Sequence, residues 1–230
     1  MSSRIENLQR VLSTHLTFYY RFPACVLLNL GEAKVLVDPG QTFTAEEAEA
    51  IEELDVIAIT HEHTDHYNRD LIVDLARKTG AAVVTNKTVF KDLRRLVADE
   101  RMVRLKAGES VDLDGLRIHA LRSVHPGLHP LVFLFEMDRL AVFHGSDSGF
   151  SSAFEAFSPV DVAFVPVGGP SPTASVNDAL RMARIMSPTV VVPIHGYPEE
   201  VTLFRERAQV ALSSVKVIIP EDGKCHELPL

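Results

Sequence analysis

The stretch ITHEHTDHY, residues 59–67, places three histidines and one aspartate within six positions directly after an apolar run. His61 and His63 are separated by one residue, so on an extended segment their side chains point the same way and can share one ion. Asp65 and His66 lie where the chain must turn into the next predicted helix, which directs them toward a second ion. This stretch therefore predicts the start of two neighbouring metal sites.

Other apolar runs also end in an aspartate or a histidine. Asp38 follows KVLV, His125 follows LRIHALRSV, Asp147 follows LAVFHGS and His195 follows VVVPI. In α/β folds, sites assemble where loops leave the carboxyl ends of strands, so these residues can converge on one point. Asp147 could bridge two ions, and His125 and His195 could complete opposite ends, with His129 as an alternative to His125. Imidazole and carboxylate donors together suit zinc, manganese or iron.

Two ions about 3.5 to 4 Å apart can hold a hydroxide between them and lower the pKa of its parent water, which predicts hydrolytic chemistry. Asp65 is the candidate catalytic residue that passes a proton to the leaving group. His144 is a candidate to orient a ligand by a hydrogen bond. Gly168 and Gly169 are candidate substrate-binding residues, because glycine lets backbone approach a ligand, and a helix start at Ser175 would favour an anionic group.

Apolar runs rich in β-branched residues alternate with amphipathic segments along the chain, which indicates α/β layering. Hairpin-like pairs of runs beside strand–helix units predict two mixed sheets. The segments LDVIAITH and VDVAFVPVGG share one pattern, which suggests two related halves. No linker marks a boundary, so we expect a single domain over residues 1–230. The candidate strands are CVLLNL, AKVLVD, DVIAITH, AAVVTN, LRIHALRSV, LVFLFEM, LAVFHGSD, VDVAFVPV, TVVVPIH and SVKVIIP, and the candidate helices are AEEAEAIEEL, RDLIVDLARKTG, VNDALRMARIM and PEEVTLFRERAQVAL.

The composition excludes several classes of protein. The 230 residues carry a net charge of −8, which argues against nucleic acid as a partner, because phosphate binding requires a basic face. No apolar stretch approaches a membrane span, and the polar start MSSRIENLQR contains no signal sequence, so we expect a cytoplasmic protein acting on a small molecule. Cys25 and Cys225 form no metal-binding motif and are interpreted as buried or idle thiols. The sequence is compatible with a homo-oligomer but does not predict the oligomeric state.

The stretch THEHTDH resembles the HxHxDH signature of the metallo-β-lactamase-fold superfamily, and the resemblance continues through VLVDPG, SVHPG, FHGSDSG and PIHG. It implies a metallo-β-lactamase fold, a four-layer αββα sandwich of two mixed β-sheets flanked by helices. Within the superfamily, the segment from PVGG to PIHG is similar to small stand-alone metal-dependent hydrolases of the ascorbate-6-phosphate lactonase-like group. Two departures are Ser146, where relatives usually have glycine, and the additional Pro126 and His129 in HPGLHP.

The resemblance also implies roles for the residues at the strand ends. Oxygen-reducing diiron members have glutamate where this chain has His63, so hydrolysis is favoured. Asp38 would support the site without touching the metal. The implied ligands are His61, His63 and His125 for one ion, Asp65, His66 and His195 for the other, and Asp147 between the two.

The sequence thus predicts a metal-dependent hydrolase that uses two divalent ions, zinc first and manganese or iron as alternatives, on an ester, lactone or phosphodiester. One alternative is a small nuclease or phosphodiesterase, whose substrate binding would weaken steeply with salt. Another is a non-catalytic metal-binding module of the same fold. The substrate itself is not predicted, because likeness of fold does not carry specificity.

Overall fold

The computed structural model describes residues 2–169 and 172–230. Within these residues the chain divides into two compact units, and each unit is built on one seven-stranded sheet. The first unit comprises the chain up to Lys106 together with Gly127–His129 and Glu221–Leu228, and the second comprises Ala107–Pro126, Pro130–Pro220 and Pro229–Leu230.

The elements alternate along the chain as the apolar pattern predicts. The strands are β1 (Thr17–Arg21), β2 (Cys25–Asn29), β3 (Lys34–Val37), β4 (Val56–Ile59), β5 (Ala82–Thr85), β6 (Met102–Arg104), β7 (Ser110–Leu113), β8 (Leu116–Arg122), β9 (Leu131–Met137), β10 (Leu140–His144), β11 (Val162–Pro166), β12 (Val190–Ile194), β13 (Lys216–Val217) and β14 (Lys224–Glu227). The helices are α1 (Ser3–Ser13), α2 (Ala45–Ala50), α3 (Arg69–Thr79), α4 (Lys87–Leu93), α5 (Val176–Met186) and α6 (Pro198–Ala211), with short 3₁₀ turns at Asp99–Arg101 and Ser152–Phe157.

The two sheets share one pairing pattern. The first has the order β14-β1-β2-β3-β4-β5-β6, antiparallel from β14 to β3 and parallel from β3 to β6. The second, counted from β7, runs β7-β8-β9-β10-β11-β12-β13, antiparallel to β10 and parallel beyond it. LDVIAITH and VDVAFVPVGG contain β4 and β11, the fifth strand of each sheet in this order. The shared pattern agrees with the interpretation that the chain has two related halves.

Helix ends follow from identifiable residues. The Thr44 side chain accepts from the backbone N–H of Glu47, and the Glu47 side chain accepts from the backbone N–H of Thr44 in return, which forms a capping box at the start of α2. Asn68 caps the start of α3, and Gly80 ends that helix in the left-handed conformation. Ser175 accepts from Asp178 at the start of α5. These signals fix where each helix begins relative to the strand that precedes it.

Each unit has its own hydrophobic core, in which helices cover one face of the sheet. In the first unit, Leu8 of α1 and Ile72 of α3 are buried in the same cluster as Ile57 of β4. In the second, Met182 of α5 and Phe204 of α6 are buried in the same cluster as Val165, Val191 and other strand residues. Each such side chain contributes about 1.5 to 3 kcal/mol when it leaves water. These cores hold the parallel strands whose carboxyl ends carry the polar residues.

The predicted two mixed β-sheets flanked by helices are confirmed. All ten candidate strands and all four candidate helices form, although α2 ends at Ala50 and does not continue to Leu54. Helices α1 and α4 and strands β1, β6, β7 and β14 were not predicted. The single domain over residues 1–230 stays a prediction. None of the helices in the described part of the chain is long and apolar enough to cross a bilayer.

Candidate metal centre

In the first unit, the parallel register of β3 and β4 places Asp38 beside Thr60. Val37 pairs with Ala58, and the backbone N–H of Asp38 donates to the carbonyl of Ala58 at 2.9 Å. Strands β3 and β4 therefore both end at the same edge of the sheet. Oδ1 of Asp38 accepts from the Thr60 backbone N–H at 2.8 Å, and Oδ2 accepts from the Thr60 hydroxyl at 2.7 Å.

Asp38 and Thr60 together orient two of the predicted ligands. Oδ2 of Asp38 lies 2.9 Å from Nδ1 of His66, and Oγ1 of Thr60 lies 3.0 Å from Nδ1 of His61. The single hydroxyl hydrogen of Thr60 is donated to Asp38, so Oγ1 accepts from the Nδ1–H of His61. In both rings, Nε2 is then the nitrogen that can ligate a metal.

The turn after β4 gathers four predicted ligands. The ring centroid of His61 lies 4.5 Å from that of His63 and 4.4 Å from that of His66. The ligand atoms of His61 and His63 lie within 4.8 Å of each other, as do those of Asp65 and His66. Oδ2 of Asp65 is 3.5 Å from Nε2 of His66. The first unit thus presents two ligand pairs, in the grouping expected from the sequence.

Gly40 supports this turn and was not singled out from the sequence. A Cβ at Gly40 would lie 2.0 Å from the backbone oxygen of Asp65, so no other residue fits without moving the turn. The neighbouring Gln41 donates its backbone N–H to the carbonyl of Thr64 at 2.9 Å. The loop after β3 therefore fixes the backbone of the ligand-bearing turn. The sequence signal was glycine directly after Asp38 and Pro39, which is typical of a tight approach.

In the second unit, the parallel strands β10, β11 and β12 end at one edge of the sheet, two of them are followed by a predicted ligand, and the third ligand, His125, follows β8. Asp147 follows β10, and His195 follows β12 directly, with β11 between those two strands. Oδ2 of Asp147 lies 3.0 Å from Nε2 of His125 and 3.9 Å from Nε2 of His195. All three side chains are buried. The second unit therefore brings together the predicted bridging carboxylate and both remaining histidines.

Backbone carbonyls orient these two histidines. Nδ1 of His125 donates to the carbonyl of Pro172 at 2.9 Å, and Nδ1 of His195 donates to the carbonyl of Gly168 at 3.0 Å. A carbonyl accepts only, so both rings carry hydrogen on Nδ1 and can ligate through Nε2. His129, the alternative to His125, is exposed on the turn Gly127–His129 of the first unit.

Neighbouring protein groups contact His144, Gly168 and Gly169 closely. Nδ1 of His144 accepts from the backbone N–H of Ser146 at 3.2 Å, so this buried ring supports the turn before Asp147. A Cβ at Gly168 would lie 2.2 Å from Oε1 of Glu200, and one at Gly169 would lie 2.4 Å from the carbonyl oxygen of His195. Both glycines are thus required by their protein neighbours, and their contact with substrate stays a prediction. Pro170 and Ser171 of the same predicted loop lie outside the described residues.

Backbone in the left-handed region recurs at the strand ends. Asp38, Ser146 and His195 have φ of 49°, 51° and 53°. For residues other than glycine this conformation costs on the order of 1 to 3 kcal/mol, and it concentrates at functional sites. Ser146 therefore adopts a conformation that glycine would enter more easily, which is the physical meaning of this departure from the family pattern.

The residues present fit a divalent metal. In each of four histidines a protein group binds Nδ1, which is the usual way in which metal-ligating imidazoles are oriented. Carboxylates accompany them in both units, and this donor set suits zinc, manganese or iron. Thr60 belongs to the same arrangement through its contacts with Asp38 and His61, and its role depends on its position beside Asp38, which no local sequence pattern indicates. The four oriented histidines are His61, His66, His125 and His195.

Comparisons with known proteins match most of the chain. A model of the β-lactamase superfamily domain matches residues 17–195, a range that includes every predicted ligand. The UPF0173 protein of Pyrococcus furiosus is 34% identical over 175 residues, which are 75% of this chain and 79% of that protein. The UPF0173 metal-dependent hydrolase of Thermococcus kodakarensis is 28% identical over 214 residues, covering 86% of this chain and 93% of that protein.

Solved structures show the same fold. Igni18, a metallo hydrolase from the hyperthermophilic archaeon Ignicoccus hospitalis, superimposes with a TM-score of 0.79 at 24% identity, covering 93% of this chain and 98% of that one. Membership of the lactonase-like subgroup stays a prediction.

Proposed function

Because this chain belongs to the β-lactamase superfamily, we propose that it is a metal-dependent hydrolase whose two divalent ions cleave an ester, lactone or phosphodiester of a small molecule. The observation that carries the proposal is the set of buried histidines whose Nδ1 atoms are bound by protein groups. This arrangement supports metal ligation through Nε2 at fixed positions.

Ligand assignment follows the pairs within each unit. One ion would be held by His61 and His63 with His125, and the other by Asp65 and His66 with His195, as the family resemblance implies. Asp147 is the proposed bridging ligand, and within the second unit its Oδ2 lies near the Nε2 atoms of both His125 and His195, which supports this role. Zinc is the first choice, with manganese and iron as alternatives, because all three accept imidazole and carboxylate ligands.

When bound, such ions lower the pKa of water and stabilise negative charge that develops on the substrate. The protein's contribution is to fix the donors and to move protons. Asp65, with about a quarter of its side chain exposed, is the group proposed to pass a proton to the leaving group at its carboxylate. Asp38 and Thr60 keep the ligand rings in one orientation through the reaction.

The first experiment measures moles of each metal per chain after purification without added metal or chelator. Near two equivalents of zinc, manganese or iron are expected, and the same metal should support turnover of ester, lactone or phosphodiester substrates. His63→Ala should lose metal and turnover together, whereas His15→Ala, at an exposed histidine after α1, should keep both. Full turnover by metal-free protein contradicts the proposal.

Salt dependence separates a small-molecule substrate from nucleic acid. Binding of nucleic acid should weaken steeply as salt rises, because counterions are released from the phosphates, whereas cleavage of a small ester should change little. The net charge of −8 supports the small-molecule substrate. Bound metal without turnover of any of the three substrate classes would instead support the non-catalytic module.

A further inference from the structure

The turn Gly127–His129 is fixed to the first unit by two side chains. The backbone N–H of Leu128 donates to Oε1 of Glu62 at 2.8 Å, and the carbonyl of Leu128 accepts from the Thr88 hydroxyl at 3.0 Å. Glu62 lies in the ligand-bearing turn, and Thr88 lies in α4. Both backbone polar groups of one loop residue are therefore bound by side chains from two different segments.

The residue held in this way presents an apolar side chain to solvent. Leu128 is 63% exposed, among the most exposed large apolar residues in the described chain. A single exposed leucine is ordinary on a protein surface. Leu128 differs because two specific hydrogen bonds restrain its backbone, so less conformational entropy is lost when its side chain contacts a ligand.

The turn also runs beside a predicted metal ligand. A Cβ at Gly127 would lie 4.0 Å from Nε2 of His63 and 3.7 Å from Oε1 of Glu62. Nε2 is one of the two ring nitrogens through which His63 could ligate a metal. Leu128 is therefore the residue next to the point at which this turn approaches a predicted ligand.

We propose that Leu128 is a specificity-determining residue that packs against an alkyl or aryl group of the substrate, while Glu62 and Thr88 position it. The inference rests on the proposed function and narrows the substrate to a small molecule with an apolar group next to its hydrolysable bond. An apolar partner is required because a polar group placed against leucine would lose water without gaining a hydrogen bond.

The test uses binding of two hydroxamates to metal-loaded protein, so that it does not depend on turnover. Calorimetry gives the affinity ratio of octanohydroxamate to acetohydroxamate, which share one metal-binding group and differ in alkyl chain. The wild-type protein should prefer the longer chain, and Leu128→Ser should lower the ratio about tenfold, the effect of losing apolar contact in a binding site. The control is Val210→Ser in α6, which removes an apolar side chain that is 85% exposed.

A second pair of variants tests the positioning of the turn. Thr88→Val removes the donor to Leu128 and should lower the ratio, whereas Thr88→Ser keeps the hydroxyl and should preserve it. Metal content is measured for each variant, and affinity ratios are compared only between proteins that carry the same amount of metal.

The outcomes separate the two proposals. Wild-type protein that takes up no metal overturns the proposed function and this inference with it. Loaded wild-type protein that binds neither hydroxamate or shows no preference for the longer chain, or Leu128→Ser with an unchanged ratio, overturns the role of Leu128 alone. A lowered ratio in Leu128→Ser with an unchanged ratio in Val210→Ser supports it.

Discussion

Oδ2 of Asp38 lies 2.9 Å from Nδ1 of His66, and both side chains are fully buried. The same oxygen also accepts the hydroxyl of Thr60, which in turn accepts from His61. One carboxylate thus orients two imidazoles, one directly and one through a hydroxyl. Because parallel pairing of β3 and β4 sets these positions, the geometry of the ligands depends on the register of the sheet.

Replacing Asp38 by asparagine should weaken metal binding. An asparagine amide would direct N–H groups at donors that now reach a carboxylate, and changes to groups that orient metal-bound histidines typically cost about 10- to 100-fold in affinity. Competition with a zinc chelator measures the effect. Asp55→Asn, where the carboxylate accepts a backbone N–H of Lys34 at 2.7 Å on an exposed edge, is the control that should keep wild-type affinity. Equal affinities for the two variants would argue against this role of Asp38.

Replacing Thr60 by valine removes the acceptor of the His61 Nδ1–H at nearly constant volume. We expect zinc affinity to fall about tenfold, because the ring loses the group that orients it. Thr60→Ser keeps the hydroxyl and should retain affinity. If valine and serine variants bind zinc equally well, the hydrogen bond between Thr60 and His61 has no part in ligation.

Gly40→Ala should displace the turn that carries Asp65. The added methyl would overlap the Asp65 backbone, so loss of bound metal is expected together with a lower melting temperature. Gly115→Ala is the comparison, because nothing lies within 4 Å of its Cβ position and only its φ of 90° opposes the change. That variant should lose about 1 kcal/mol or somewhat more of stability and keep its metal. Metal retained by Gly40→Ala would show that the turn tolerates the shift.

Glu47→Ala should strongly destabilise the first unit. Glu47 binds Arg21 and the hydroxyl of Tyr19, and the side chains of the buried pair Glu47 and Arg21 are only 1% and 7% exposed. Truncation leaves the guanidinium without its most buried partner, which typically costs about 3 to 5 kcal/mol. Urea unfolding measures the loss. Glu53→Ala removes an exposed carboxylate paired with Lys34 and should change stability little. Similar losses in both variants would contradict the burial argument.

Stability should fall at alkaline pH because of Tyr19. Burial and the hydrogen bond to Glu47 raise the pKa of Tyr19 well above its usual value of 10.0. The unfolded state therefore loses this proton near pH 10 while the folded state keeps it, and unfolding becomes more favourable as pH rises further. The expected slope is about 1.4 kcal/mol per pH unit for this one group. Urea unfolding on both sides of that pH should show the decline, and Tyr19→Phe should make it shallower. An unchanged slope in Tyr19→Phe would assign the decline to other groups.

The thiol of Cys25 offers no competing chemistry. Burial raises its pKa well above the usual value, so the reactive thiolate is suppressed at neutral pH. This agrees with the interpretation of Cys25 as an idle thiol. Labelling of intact protein by a thiol reagent should be confined to the half-buried Cys225.

The sequence predicted the central strands and the residues at their ends because both signals are local. A continuous apolar run marks a strand buried on two faces, and a histidine or aspartate after it is visible without knowing its neighbours. Helix α1 also carries a local signal, because Ile5, Leu8 and Val11 recur at helical spacing within a polar segment. Strand β14, with the sequence KCHE, had none, since it becomes a strand by pairing with β1.

The roles of Thr60 and Gly40 depended on register and could not be predicted from local pattern. Thr60 matters because Asp38 lies beside it across β3 and β4, and Gly40 matters because the Asp65 backbone lies against it. The shortened α2 has a similar origin. Ile51 and Leu54 are buried in the core of the first unit, and this packing outweighs the helix propensity of the glutamate-rich segment.

The pairing of β1 with β14 has a consequence for synthesis on the ribosome. Every other strand of the first sheet is complete once residue 104 has been made, but β1 keeps an open edge until residues 224–227 emerge. Asp222, which accepts a hydrogen bond from Arg21, is synthesised just before these residues. The nascent chain therefore exposes unpaired backbone groups of β1 while residues 107–220 are synthesised, an interval in which a chaperone or a second chain can occupy that edge.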